Sequence, residues 1–216
     1  MIIRKNFSFS SIVLSAGLSM GLLASLPFFG SAYAADYTID SAHSTIEFNI
    51  GHNVIGHVKG NFNAFDGGVN FDEKTPEKGS VHVSIKADSI NTNNTKRDEH
   101  LKSPDFFDVQ KFPTLTFESK KISHVTDKKY KVTGDLTMHG VTKPVTLDVE
   151  FNGTAKDMMG ATRAGFNATG KINRKDWGIN WNKTLDHGGV AVADELTLSL
   201  DIEAVKKDDT KKPDSK

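Results

Sequence analysis

The feature that most constrains this chain is a two-residue alternation of apolar and polar side chains, repeated along most of its length. Ile46, Phe48 and Ile50 share one parity, while Thr45, Glu47 and Asn49 take the other. The pattern recurs at Val81, Val83 and Ile85, at Leu115 and Phe117, and at Tyr130, Val132, Leu136 and Met138. Val145, Leu147, Val149 and Phe151 repeat it, as do Leu196, Leu198, Leu200 and Ile202. Successive side chains of a strand point to opposite faces, so each run predicts a strand with one apolar and one wet face. Turn-forming residues fall between the runs: Asp66-Gly67-Gly68, Thr75-Pro76, Thr126-Asp127-Lys128, Asn152-Gly153 and Asp186 to Gly189. The spacing predicts about eight strands, mostly antiparallel.

One stretch reads as helical, Thr95 to Leu101, with Thr95 as N-cap and Asp98 completing a capping-box-like start. A single short helix cannot cover the apolar face of such a sheet. The sheet must bury that face on itself, as a closed barrel or a two-layer sandwich. A barrel of about eight strands is either plugged by side chains or wide enough for one small ligand. Alternation runs without a linker from Asp36 to Val205, well beyond the roughly 100 residues of an immunoglobulin sandwich. Long strands around a larger enclosed volume, a calyx, account for the surplus.

Both ends read differently. Residues 1–34 have the form of a secretory signal peptide: Arg4 and Lys5, an apolar stretch from Ile12 to Leu26, Pro27, then Ala32-Tyr33-Ala34 before a cleavage point. That stretch is shorter than the roughly 20 apolar residues of a membrane span. The expected mature chain is an exported protein without stable membrane insertion. Its charge balance moves from 27 against 27 to 25 Lys+Arg against 27 Asp+Glu. Residues 206–216, KKDDTKKPDSK, carry no apolar side chain and are expected to form a disordered charged tail. A near-neutral balance excludes a polyanion grip on nucleic acid. The absence of cysteine excludes disulfides, thiolate metal sites and cysteine nucleophiles.

Polar and aromatic residues are densest in KRDEHLKSPDFFDVQKFPTLTF, residues 96–117. Arg97, Asp98, His100, Lys102, Asp105 and Asp108 interleave there with Phe106, Phe107 and Phe112. Such an insertion suits the rim of a pocket, the rings facing an apolar tail and the polar groups its head. It equally suits a plug over one end of a barrel. Of the eight histidines, His52 and His57 are five residues apart and point to opposite faces of a regular strand. No HExxH, GxSxG or glycine-rich phosphate loop occurs. The expectation is no metal, no cofactor and no catalysis.

Four segments together resemble the YceI family: DSAHSTIEFNIGHNVIGHVKGNFNAFDG (40–67), RDEHLKSPDFFDVQKFPTLTF (97–117), GDLTMHGVTKPVTL (134–147) and GFNATGKINRKDWGINW (165–181). The resemblance runs from about Tyr37 to Ala204. It implies an all-β fold, an eight-stranded antiparallel lipocalin-like barrel with one short helical insertion. It further implies a periplasmic protein, often a homodimer, that binds a polyisoprenoid, an isoprenoid quinone or a similar long-chain lipid for transport or storage. Carried over by position, Phe48, Ile50, Val83, Ile85, Phe106, Phe107, Phe117, Leu136, Met138, Phe166 and Trp177 would line the apolar channel. Arg97, Asp98 and His100 would meet the head group. Two other readings compete: a barrel filled by Trp177, Trp181 and the phenylalanines that acts as a stress-linked interaction module, and an isoprenoid-modifying enzyme dependent on Asp98 or His100.

Overall fold

The computed structural model describes residues 35–186 and 188–210; the leader read in residues 1–34 lies outside them. The strands are β1 (Ala35–Ile39), β2 (Thr45–His52), β3 (Gly56–Phe62), β4 (Phe65–Phe71), β5 (Ser80–Lys86), β6 (Ile90–Asn91), β7 (Thr114–Thr126), β8 (Lys129–Met138), β9 (Val141–Lys156), β10 (Thr162–Asn173) and β11 (Val192–Lys206). The helix α1 spans Thr95–Lys102.

These eleven segments make eight antiparallel staves. One edge of β11 pairs with β2 at Val192 and from Leu196 to Asp201, then with β1 from Ala204 to Lys206. β1 and β2 are thus two halves of one bent stave, and the same pairing logic joins β3 to β4 and β5 to β6. From β5 the order runs β7, β8, β9, β10, β11, and the β11 contact with β1 and β2 closes the ring. At the β1–β2 bend the ladder is carried by a side chain: Ser44 Oγ donates to Glu203 O at 3.1 Å and accepts from Glu203 N at 2.9 Å. Closure gives every stave a neighbour on each side over most of its length.

The wall opens at two places near one end. β6 pairs with β3 but not with β7, and residues 92–113, including α1, span that gap. β9 takes β10 as partner only from Asp148 onward, leaving Val141–Leu147 without a β10 neighbour. Residues 174–182 fill that second gap with the buried Trp177 and Ile179. The opposite end is closed by packed rings. Phe71 lies 5.6 Å from Tyr130, 5.0 Å from Phe151 and 5.5 Å from Phe166 between centroids.

The eight-stranded antiparallel barrel with one helix matches the sequence expectation; several local details do not. Asp66-Gly67-Gly68 lies inside β4, where a Cβ on Gly67 would stand 2.3 Å from His82 O. Glycine here serves a close strand approach, not a turn. Asn152-Gly153 likewise sits inside β9, at φ +113 for Gly153, beside a register shift at Gly165/Phe166. The N-cap of α1 is Asn94, whose side chain accepts from Arg97 N at 3.0 Å, one residue earlier than expected. Order also continues past the expected start of the tail. Lys206 ends β11, and residues 207–210 form a 3₁₀ turn in which Asp209 accepts from Thr162 N at 2.8 Å. Hydrogen bonding holds that turn without apolar burial.

Candidate functional site

Inward-facing residues of all eight staves enclose a cavity of about 480 Å³, a size typical of small-molecule sites. Its wall is almost wholly aliphatic and aromatic. Along β11, Leu196, Leu198 and Leu200 point inward yet are only half-buried, because space rather than packed side chains lies opposite them. Two large rings are kept out of that space by glycine. Phe48 lies over Gly60, where a Cβ would be 2.4 Å from Phe48 Cζ, and Phe117 lies over Gly134, where it would be 2.5 Å from Phe117 Cζ. A bulkier residue at either place would push the ring into the lumen.

Polar lining groups gather at the end away from the packed rings: His52, Lys96, Arg97, His100 and Arg174. His52 and Lys96 are exposed as well as lining the cavity, so the lumen reaches the surface between the β2–β3 turn and α1. The helix is pinned there by Thr92, whose N–H and hydroxyl both donate to Asp98 Oδ1 at 2.9 and 2.5 Å. Arg97 donates through Nε to Thr92 Oγ1 and through Nη2 to Thr92 O. His100 pairs through Nε2 with Asp105 at 2.9 Å, and its ring stands edge-on to Phe106 and Trp181 at 5.1 and 4.9 Å. Those three rings join α1 to the segment after β10.

That segment is fastened by Arg174, only 3% exposed. Its guanidinium donates to Ala193 O, Ile179 O and Trp181 O at 2.9, 2.7 and 2.8 Å, and reaches Asp194 at 3.5 Å. Burial lowers its pKa from the usual arginine value, and Asp194 opposes the shift.

A profile of the YceI-like domain matches residues 37–204. This chain belongs to the YceI-like family. A UPF0312 protein of Yersinia pestis (strain Pestoides F) is 44% identical over 192 residues, covering 88% of this chain and 96% of the relative. The crystal structure of the Campylobacter jejuni YCEI protein is 36% identical, with a TM-score of 0.61 over 73% of this chain and 90% of that one. A polyisoprenoid binding domain from Saccharophagus degradans, implicated in plant cell wall breakdown, superposes with a TM-score of 0.57 at 14% identity, over 80% and 99% of the two chains, a likeness of fold.

Within this YceI-like barrel, Phe48, Ile50, Val83, Ile85, Phe106, Phe107, Phe117, Leu136, Met138 and Phe166 stand on the cavity wall. Trp177 does not. It is 2% exposed, its Nε1 donates to Leu136 O at 3.0 Å, and it packs in the wall where β9 lacks β10. Its indole N–H needs a buried acceptor, which an apolar lumen does not offer. Arg97 and His100 line the polar end, whereas the Asp98 carboxylate is spent on Thr92. Trp181, Arg174, Lys96 and His52 line the lumen too and were not singled out as channel or head-group residues from sequence. The parity of His52 with Phe48 and Ile50 was a usable signal for one of them.

A separate cluster at the β1–β2 bend brings Asp40, His43 and Glu203 within 4.8 Å of one another. Its cation is already present: Arg163 donates to Asp40 at 2.7 Å, to Asp157 at 2.9 Å and to Glu203. Hydrogen bonds from Arg163 first and His43 second hold the Asp40 carboxyl at about 2. This group ties β10 to the bend and does not line the lumen.

Proposed function

We propose that this YceI-like protein binds a polyisoprenoid or similar long-chain amphiphilic lipid in its lumen, without catalysis, and serves as a periplasmic carrier or store. The observation that carries the reading is an open apolar lumen whose polar groups collect at one end. An isoprenoid tail gains about 0.8 kcal/mol for each methylene buried, so it needs few polar contacts. A head group at the open end meets Arg97 and His100, and two of the five Arg97 N–H groups are used on Thr92. The fold shared with a polyisoprenoid binding domain points the same way. A barrel filled by Trp177, Trp181 and the phenylalanines would leave no such lumen, which counts against the interaction-module reading. Export to the periplasm rests on the leader read in residues 1–34.

The test is native mass spectrometry of the mature protein taken from its own cells, followed by organic extraction. A stoichiometric long-chain species supports the reading and names the cargo. A bare polypeptide mass that takes up neither added polyprenols nor quinones would refute it. Arg97→Ala is expected to relax selection among head groups while keeping tail binding.

A further inference from the structure

The turn between β2 and β3 presents side chains that a turn of this kind does not need. Val54 is 72% exposed and Ile55 94% exposed, two adjacent β-branched residues projecting from the tip. Asn53 and Val54 both adopt positive φ, +51 and +68. Asparagine tolerates that region, whereas for valine it is a true outlier that costs stability. Asn-Gly would close the hairpin more cheaply. Val54 leans on Gly189, where a Cβ would stand 2.6 Å from Val54 Cγ2, but most of its surface and nearly all of Ile55 remain in solvent.

The position of the tip suggests what they serve. Gly51 and His52, immediately before it, line the lumen at its polar, open end. Asn53 N donates to Ala191 O at 2.9 Å, which sets the tip beside the segment leading into β11. There Val190 adds a third exposed apolar side chain, at 44%. Around this small apolar point lie His52, Asn53 and His57, all exposed. Three side chains are far too few for a stable protein interface, which takes roughly 20 to 30 residues a side. A bilayer surface asks much less. Shallow insertion of an apolar tip, with polar neighbours left at headgroup depth, gives reversible contact.

We propose that the Val54–Ile55 tip, with Val190 beside it, is where the barrel touches a lipid bilayer, placing the open end of the lumen against the membrane. The exchange of cargo at that contact rests on the lipid reading of the lumen; the contact itself does not.

The chain contains no cysteine, so Ile55→Cys and, separately, Met158→Cys take a single environment-sensitive fluorophore each. Met158 and Met159 form an equally exposed apolar tip, at 105% and 91%, on the β9–β10 turn at the opposite end of the barrel. With vesicles of phosphatidylethanolamine and phosphatidylglycerol, the label at 55 is expected to shift to the blue and be quenched by spin-labelled lipid. The label at 158 is expected to remain in water. Unlabelled Val54→Asn/Ile55→Asp should lose about tenfold or more of its vesicle partition, the worth of one buried aliphatic side chain. Its melting temperature should hold, since asparagine relieves the strain at 54. A label at 55 that stays in water overturns the proposal, as does an equal shift at 158. A tip that enters the bilayer while the protein takes up no added polyprenol would leave the contact standing and refute the lumen reading instead.

Discussion

Replacing Leu198 by aspartate gives the sharpest test of a tail in the lumen. Leu198 lies mid-wall, opposite Phe48 on β2 and Gly170 on β10, facing inward and only half-buried. In the empty barrel an introduced carboxylate still meets water, so the fold survives better than it would a charge in close-packed core. An entering hydrocarbon must strip that water. The effective cost of desolvating one unpaired ion is several kcal/mol, and about 4 kcal/mol corresponds to roughly a thousandfold in affinity. Leu198→Ala is the control. It removes three carbons, about 2.4 kcal/mol of apolar contact at most, or roughly fiftyfold. Titration with a fluorescent polyprenol, beside thermal melts of each variant, measures both quantities. The aspartate variant should also regain affinity at acid pH as the introduced carboxyl becomes neutral. A folded Leu198→Asp protein that binds within threefold of the parent would mean that no tail passes that point of the wall.

Three further outcomes follow from particular contacts. Arg174→Leu leaves the carbonyls of Ile179, Trp181 and Ala193 without their donor; a loss of about 3 kcal/mol or more is expected in urea melts, with earlier proteolytic nicking between residues 178 and 191. Trp177→Phe removes the indole donor to the Leu136 carbonyl, which keeps its ladder partner on β9, and should cost about 1 kcal/mol while leaving lipid occupancy unchanged; lost occupancy would return Trp177 to the channel wall. Asp40 is held at about 2 against an ordinary 3.8, chiefly by Arg163. Because the folded value is the depressed one, the associated stability is full above pH ~4 and disappears as pH falls toward 2. Solvent screening of this partly exposed pair limits it to about 1 kcal/mol. Denaturant midpoints across that window should show it in the parent and a smaller change in Arg163→Ala, where His43 still holds Asp40.

The barrel was legible because a period of two is dictated by strand geometry, and parity holds along each run until a bulge resets it, as on β7 between Phe117 and Ile122. Ile46, Phe48 and Ile50, like Leu196, Leu198, Leu200 and Ile202, sit on the inner face for the same reason they alternate in sequence. Glycine was harder to read. Gly67 and Gly153 carry the signature of turns, yet one answers to the approach of β5 and the other to a register shift between β9 and β10. These are demands of neighbouring strands, and the local sequence does not contain them. The same holds for the open end. The rim segment was visible in its composition, but the division of labour within it follows from Thr92, which uses up Asp98 and part of Arg97.

Trp177 and Trp181 show most clearly how distant partners decide a role. They stand four residues apart in one short segment, and as isolated residues each is an equally good plug. Val141–Leu147 has no β10 partner, and Trp177 packs beside that stretch with its indole N–H donating to the Leu136 carbonyl of β8. With that indole fixed in the wall and Arg174 holding the carbonyl of Trp181, the second ring is left at the lumen against His100 and Phe106. The lumen is therefore open at this height because one tryptophan closes the wall. If Trp177 were freed from Leu136, the gap beside β9 would be the first place for water to enter the lumen through its wall.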